Sequence, residues 1–369
     1  MPGHVVFLEC YPHVRGGAQA TTAALATALP AWGWTVEVVA PFDGPALDAL
    51  RTANVRTTVL DAPGALLQYG GDHRASARSK AAAALPAWWT RLARHLRRSG
   101  ASLLDVVDER GIILGAPAAA AARVRGVWHV HTPGDAAFID RLGRRWARTC
   151  IAPSHAVASR LGRDAVVVAP AIPPISTESS ASFEGRAPRL VSAGRLHPVK
   201  GFDVLIAAVA TLRARMPDLT LDVYGAAQAG HEAHALALES QVARLGLHDV
   251  VRFLGHQPCP WTQWNGAAAY VQPSRKEPFG MALVEAMASC LPVIATRVDG
   301  PAEIVDDGRT GLLVPPDDPD ALARAIERVL LDHDLARALA TAGRAHARST
   351  YTVEHLVERT AAVFDRAVA

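Results

Sequence analysis

Apolar residues along the chain fall into two alternating kinds of run. Short runs rich in Val, Ile and Leu occur as HVVFL (4–8), TVEVVA (35–40), VRTTVL (55–60), LLDVV (103–107), VWHVH (127–131), TCIA (149–152) and AVVVAP (165–170). Longer stretches with helical spacing separate them, so the pattern predicts a parallel sheet with crossover helices. The alternation restarts with PRLVSAG, LTLDVYG, DVVRFLG, AAAYVQPS, LPVIAT and TGLLVP as strands, and with helices near 201–215, 232–245, 281–289 and 318–331. The expected class is α/β, with two Rossmann-like doubly wound parallel sheets whose ligands bind beyond the carboxyl ends of the strands.

Between the two patterns lies PAIPPISTESSAS (170–182), a Pro/Ser-rich stretch that suits neither a helix interior nor a central strand. It is read as the linker, 171–183, between an N-terminal domain over 1–170 and a C-terminal domain over 184–349. A final helix over 352–369 carries apolar Leu356, Val357, Val363 and Phe364. Charge divides at the same place: residues 1–180 hold 19 Lys+Arg against 13 Asp+Glu, and residues 181–369 hold 19 against 22.

With 369 residues, 50% hydrophobic and 20% charged, the chain is neither disordered nor fibrous. Its longest uncharged apolar run, 111–122, contains Pro117 and is shorter than the roughly 20 residues of a membrane-spanning helix. The first residues reach Glu9 without a basic leader, so the expectation is a cytoplasmic protein. Cys10, Cys150, Cys259 and Cys290 lie far apart with no CxxC, which reads as reduced structural thiols and no metal site.

The sharpest motif is PSRKEPFGMALVEAMA (273–288), in which seven residues separate Glu277 from Glu285 and Gly280 opens a helix. Pro278 keeps Glu277 out of the α region, so its carboxylate projects from a loop. Gly280 permits close approach of a ligand, and the amides of the following helical turn favour negative charge. The plainer alternative is a capped helix with two surface glutamates. A second motif, VSAGRLHPVKGFDVLIAAV (191–209), sets Arg195 and Lys200 in a strand-to-helix loop, an arrangement suited to a diphosphate. Solvated loop charges are the alternative, although only Lys80, Lys200 and Lys276 are lysines in the whole chain. A third, YPHVRGGAQATTAAL (11–25), has Gly16 and Gly17 at the first strand-to-helix turn without the GxGxxG of a dinucleotide site, and no P-loop occurs anywhere.

In this order over nearly the whole chain, the three motifs resemble glycosyltransferase family 4, whose retaining members have the GT-B fold of two facing Rossmann-like domains with a deep cleft between them. The resemblance implies a hexosyltransferase using a nucleoside-diphosphate-sugar, without a cofactor or metal. The N-terminal domain would take the acceptor, the C-terminal domain the donor, and the helix over 352–369 would return to the N-terminal domain. It implies that Arg195 and Lys200 hold the diphosphate and stabilise its departure, and that Glu277 contacts the transferred sugar and Glu285 the ribose. Backbone amides at Phe279, Gly280 and Met281 would meet sugar or phosphate, and Gly17 would approach the donor from the other domain. His131, followed by Thr132-Pro133-Gly134, matches the family histidine facing the reacting sugar. Two stretches depart from the family pattern: AIPP after AVVVAP, and Asp108-Glu109 where a histidine-containing segment is common.

Two features bear on the acceptor. In LPAWWTRLARHLRRSG, Trp88, Leu92 and Leu96 recur at helical spacing beside Arg91, Arg94, Arg97 and Arg98, either a core-packed helix or one lying on a membrane. Acidic residues near strand ends (Glu9, Asp43, Asp72, Asp108, Glu109 and Asp135) could bond a small polyhydroxylated or amino-bearing acceptor, with Asp108, Glu109 and Asp135 as the candidate contacts, and the resemblance to family 4 implies an aminocyclitol of antibiotic biosynthesis as one such acceptor. Transfer to a lipid-linked or saccharide acceptor, a nucleotide-sugar epimerase and a non-catalytic binder are alternatives. His129 and His131 form a His-x-His pair, read as one functional and one structural histidine. The acidic run at 317–320 reads as a helix cap in preference to a metal motif.

Overall fold

A computed structural model of the chain describes residues 3–13, 16–67, 75–131, 137–162, 165–173, 175, 184–227 and 230–369. Asp72, Asp135, the Thr132-Pro133-Gly134 turn and most of the expected linker fall outside these residues. The chain forms two compact units, Met1–Ala171 together with Val353–Ala369, and Ile172–Thr352.

The first unit is built on β1 (His4–Leu8), β2 (Thr35–Ala40), β3 (Arg56–Val59), β4 (Leu103–Val107), β5 (Arg125–His129), β6 (Thr149–Ala152) and β7 (Ala165–Val167). Around them lie α1 (Gly17–Ala28), α2 (Pro45–Thr52), α3 (Gly64–Leu67), α4 (Ala75–Ser99), α5 (Asp108–Ala122), α6 (Ala137–Trp146) and α7 (His155–Leu161). All pairings are parallel, in the order β3-β2-β1-β4-β5-β6-β7. The second unit has β8 (Arg189–Ala193), β9 (Thr220–Tyr224), β10 (Val251–Phe253), β11 (Ala269–Gln272), β12 (Val293–Thr296) and β13 (Leu312–Val314), again parallel, in the order β10-β9-β8-β11-β12-β13. Its helices are α8 (Phe202–Arg213), α9 (Glu232–Arg244), α10 (Met281–Ala288), α11 (Asp299–Ile304), α12 (Pro319–Leu331) and α13 (His333–Thr350). The last helix, α14 (Val353–Val368), belongs to the first unit.

The near-continuous apolar strands have a direct physical cause. Along β1, Val5 and Phe7 enter one core with Leu25 of α1 and Phe364 of α14, while Val6 and Leu8 enter another with Trp88 and Leu92 of α4. Successive side chains of a strand point to opposite faces, so helices on both sides demand apolar residues at every position. The Phe364 ring lies 5.5 Å from that of Trp34 and 6.0 Å from that of Phe7, which anchors α14.

Helix α4 packs its tryptophans inward. Trp88, Leu92 and Leu96 are buried while Arg91, Arg94, Arg97 and Arg98 are exposed. Trp88 Nε1 donates to Leu114 O at 2.9 Å and Trp89 Nε1 to Ile113 O at 3.0 Å. The apolar stripe is therefore occupied by the fold and is not free to enter a bilayer. Among the described residues no helix is long and apolar enough to cross a membrane.

Helix α13 was not foreseen. Its inward positions include Ala336, Ala340, Gly343 and Ala347, small residues that leave no bulky periodic signal. Their size is needed for close packing, since a Cβ on Gly343 would stand 2.9 Å from Thr310 O.

Candidate functional site

In an open parallel sheet the crevice for a ligand forms where strand order reverses, outside the carboxyl ends of the strands. In the second unit that point lies between β8 and β11. The two sharpest sequence motifs occupy its two sides: Arg195 and Lys200 follow β8, and Glu277 follows β11. The turn after β8 is tied down by Gly194 N–H donating to Tyr224 O at 2.9 Å and Leu196 N–H to Ala226 O at 3.0 Å. Arg195 is exposed on this turn. Gly201 has φ 65°, and a Cβ there would fall 2.0 Å from Pro273 O, so only glycine lets the lysine loop lie against the chain after β11.

Glu277 is the hub. Its Oε2 accepts from Lys200 Nζ at 2.5 Å, and from Gln272 Nε2 and Ser274 Oγ at 3.3 Å each. Buried Tyr270 donates through its hydroxyl to Gln272 Oε1 at 3.2 Å, so one chain of donors aims the amide at the carboxylate. The Glu277 N–H donates to Asp299 Oδ2 at 3.1 Å, and Gly300 N–H donates to Glu277 O at 3.0 Å. The residue is thus held through its side chain and its backbone alike.

Arg275 staples the two motifs together. Its guanidinium makes a bidentate pair with Asp203 at 2.7 and 2.8 Å, bonds Asp317 Oδ1 at 2.6 Å, and donates to Pro198 O at 2.7 Å. Its side-chain hydrogen bond with Asp203 is the main cause that raises the guanidinium's proton affinity, and the same bond, opposed by burial, lowers the Asp203 carboxyl. Asp318 accepts from Ala321 N–H at 2.8 Å and caps α12, so the acidic run divides between a cap and an ion pair. Among the described residues no group of three or more His, Cys, Asp or Glu could hold a metal ion.

Gly280, at φ 111°, precedes α10, and Phe279 and Met281 flank it. The buried Phe279 ring lies 5.5 Å from that of Tyr351, leaving its backbone beside the helix start. Glu285, one turn into α10, has its carboxyl pushed up to about 7 by burial. That raised value sets it apart from an ordinary surface glutamate.

In the first unit strand order reverses between β1 and β4. Buried Glu9, after β1, accepts from Tyr11 N–H at 2.7 Å and from Gln19 Nε2 at 3.2 Å, and burial raises its carboxyl. Gly17 is exposed as the first residue of α1. Asp108 and Glu109 open α5 after β4, where Asp108 Oδ1 accepts from His131 N–H at 2.7 Å and Asp108 O accepts from Trp128 Nε1 at 3.1 Å. The His129 and His131 rings stack at 4.7 Å and 10°. His129 Nδ1 lies 3.5 Å from buried Asp105 Oδ2. Burial, and then the neighbouring His129, push His131 well below the usual imidazole range, so it is neutral at pH 7. Among the described residues no group hydrogen-bonds His131 Nε2.

Lys200 and Glu277 are therefore joined directly, Gly280 and Glu285 lie on the adjoining helix start, and Asp108 is joined to His131. Residues that sequence reasoning passed over include Gln272, Ser274, Arg275, Asp203 and Asp299. Ser274 and Arg275 stood inside the quoted motif, but nothing in one dimension marks Asp203 as the partner of Arg275, 72 positions away.

Residues 15–174 match the model of Glycosyltransferase Family 4, and residues 177–346 match that of Glycosyl transferases group 1. The chain belongs to the family 4 type of GT-B glycosyltransferases. It is 36% identical over 220 residues to a D-inositol 3-phosphate glycosyltransferase of Jonesia denitrificans, covering 58% of this chain and 51% of that protein. It is 34% identical over 172 residues to the lipopolysaccharide core biosynthesis mannosyltransferase LpcC of Rhizobium leguminosarum, covering 47% and 49%. The chain thus spans about half the length of these two curated relatives. Among solved structures, Anabaena HepE in complex with UDP and glucose matches with a TM-score of 0.82 at 23% identity, over 98% of this chain and 99% of that one. Sucrose-phosphate synthase of Thermosynechococcus elongatus matches at 0.80 and 22%, over 99% and 98%. At these identities the likeness establishes the fold.

Proposed function

We propose that the protein is a retaining glycosyltransferase that moves a hexose-type sugar from a nucleoside-diphosphate-sugar to a hydroxyl of a small polyhydroxylated acceptor, the amino-bearing class of antibiotic pathways among them. The observation that carries the reading is the convergence of Lys200 and Glu277, 77 residues apart in sequence and 2.5 Å apart in space, at the reversal point of a parallel sheet. A cation beside a carboxylate at such a crevice suits a ligand with a diphosphate at one end and sugar hydroxyls at the other. The complexes of HepE with UDP and glucose and with UDP-glucose add support for a nucleotide-sugar donor.

In this reading Arg195 and Lys200 bind the diphosphate and stabilise the charge that develops as it departs. Amides at Gly280 and Met281 add helix-start dipoles to the same end. Glu277 accepts hydrogen bonds from the transferred sugar and Glu285 from the ribose, while Phe279 contributes its backbone. His131, neutral and presented by Asp108, faces the sugar; Gly17 approaches the donor, and Asp108, Glu109 and Asp135 serve the acceptor. Retention follows from front-face attack. The acceptor oxygen bonds to the anomeric carbon as that carbon's bond to phosphate oxygen breaks, and the acceptor proton passes to the departing phosphate.

A thermal-shift panel of UDP, GDP, ADP and TDP, followed by mass spectrometry of donor–acceptor mixtures, tests the reading. Release of nucleoside diphosphate in proportion to glycosylated product supports it. Sugar conversion without acceptor would make the protein an epimerase, and binding without turnover a binder.

A further inference from the structure

Asp299, the first residue of α11, has φ 30°, in the left-handed region that residues other than Gly, Asn and Asp seldom enter. Asn54, Arg123 and Cys290 are left-handed for an ordinary reason: they follow the ends of α2, α5 and α10, where that conformation closes a helix. Asp299 opens a helix instead. It lies just after β12, which runs parallel to β11, so it stands at the same edge of the sheet as the loop that carries Glu277. A glycine would take this backbone conformation without strain, so the aspartate costs conformational free energy that its side chain has to offset.

That side chain holds Glu277. Asp299 Oδ2 accepts from the Glu277 N–H at 3.1 Å, and Gly300 donates its own N–H to Glu277 O at 3.0 Å. A Cβ on Gly300 would stand 2.2 Å from Phe279 O, so the turn lies directly against the backbone of 277–279. A carboxylate that served only as a helix cap would bond amides of its own first turn; among the described residues Asp299 bonds none of them and reaches back 22 positions instead. On the Glu277 side chain, Lys200, Gln272 and Ser274 all converge on Oε2. Among the described residues no donor bonds Oε1, the oxygen left for a ligand. Asp108 repeats the arrangement in the first unit: it opens α5 after β4 at φ 51°, and its Oδ1 accepts from the N–H of His131 after β5.

We propose that Asp299 is a positioning residue for the donor sugar: its left-handed backbone and its bond to the Glu277 amide fix the loop after β11 so that Glu277 Oε1 meets a sugar hydroxyl. A displacement of about 1 Å in such a contact costs up to ~10²-fold in rate, which gives the strained turn its use. The bond supplies position and not charge, so a neutral oxygen in the same place serves equally. The inference rests on the transferase reading for Glu277 as the sugar contact.

Two substitutions separate position from fold. Asp299→Gly removes the acceptor and relaxes the backbone, whereas Asp299→Asn keeps an acceptor oxygen on a residue that tolerates the left-handed region. Asp299→Gly should lower kcat/KM for the nucleotide-sugar at least ~10-fold. The dissociation constant of whichever of UDP, GDP, ADP and TDP the wild type binds should stay within about twofold, because Glu277 touches the sugar alone. Its melting temperature should stay within about 3 °C of wild type, relief of strain offsetting the lost bond. Asp299→Asn should keep kcat/KM within about threefold of wild type. In a Glu277→Ala background Asp299→Gly should add less than about twofold, since its effect passes through the missing carboxylate. Residue-resolved amide hydrogen exchange reads the bond itself: the Glu277 N–H should exchange at least ~10-fold faster in Asp299→Gly than in wild type or Asp299→Asn. Wild-type kcat/KM or unaccelerated exchange in Asp299→Gly overturns the inference. So does an equal loss of nucleoside diphosphate affinity, an undiminished effect in the Glu277→Ala background, or an Asp299→Asn variant as impaired as Asp299→Gly. A wild type that binds no nucleoside diphosphate and releases none from any nucleotide-sugar refutes the transferase reading, and the exchange comparison then decides whether Asp299 holds Glu277.

Discussion

Breaking the Lys200–Glu277 pair tests the proposed donor site most directly. The two side chains are 16% and 12% exposed, so the pair is largely but not wholly desolvated. Removing one partner of a fully buried ion pair costs about 3–5 kcal/mol, and the residual exposure reduces that to about 2–3 kcal/mol for Lys200→Met. Gln272 and Ser274 remain as neutral donors at 3.3 Å, long for charged bonds, and do not replace the ammonium. Glu277→Gln leaves a lysine able to reach water, at about 1–2 kcal/mol. The double variant should cost less than the two single costs together, with a coupling of at least ~1 kcal/mol. For a unit of this size Lys200→Met corresponds to a loss of roughly 4–12 °C in its melting transition. Urea melts followed by far-UV circular dichroism, run on all four proteins, give the cycle. A Lys200→Met cost below ~0.5 kcal/mol, or strict additivity, would show that the pair carries no load. In donor kinetics the same variant should lower kcat/KM by at least ~10²-fold, the scale of one lost charged contact to the transition state.

The raised Glu285 carboxyl makes the second unit sensitive to pH. Its folded value of about 7 lies above the ordinary 4.5, so the folded state holds a proton that the unfolded chain releases within that window. Stability should accordingly fall as pH rises from 4.5 to 7, by about 3 kcal/mol in all, and Glu285→Gln should flatten the slope in melts between pH 5 and 8. Arg275→Met should free the loop carrying Lys200 and raise the donor KM at least ~10-fold with little change in the circular dichroism spectrum, since the staple ties loops to the first turn of α8 and involves no core residue; an unchanged KM argues against its positioning role. Gly201→Ala should abolish donor binding in the thermal-shift panel, because neither the φ of 65° nor the approach to Pro273 O tolerates a Cβ. Trp88→Ala should destabilise the first unit by about 3–5 kcal/mol. Liposome co-sedimentation of the wild type should show no insertion of α4, whose tryptophan stripe is inside the protein.

The strands were legible because each is a dense apolar run, and such runs follow from burial on both faces. Helix α13 was not, because Ala336, Ala340, Gly343 and Ala347 pack by being small. The candidate donor residues Lys200, Glu277 and Glu285 were legible from motif spacing, since Pro278 and Gly280 announce the local backbone. Their electrostatic setting was not: the Tyr270–Gln272–Glu277 chain depends on how the loop after β11 folds back on the end of that strand, and the Arg275–Asp203 pair joins that loop to the first turn of α8.

The amino-acid sequence by itself determined the α/β class, the near-continuous strands, the glycines at obligatory turns and the family, because these depend on neighbours within a few residues or on ordered motifs. The tertiary structure alone decided which motif meets which. Strand order places β8 beside β11 and β4 beside β5, so Lys200 reaches Glu277 across 77 residues and His131 reaches Asp108 across 23. It also decided that the basic tryptophan helix is core and that Glu285 is desolvated. Burial and proximity are properties of the packed chain, and they set the charge, reach and space on which the proposed chemistry depends.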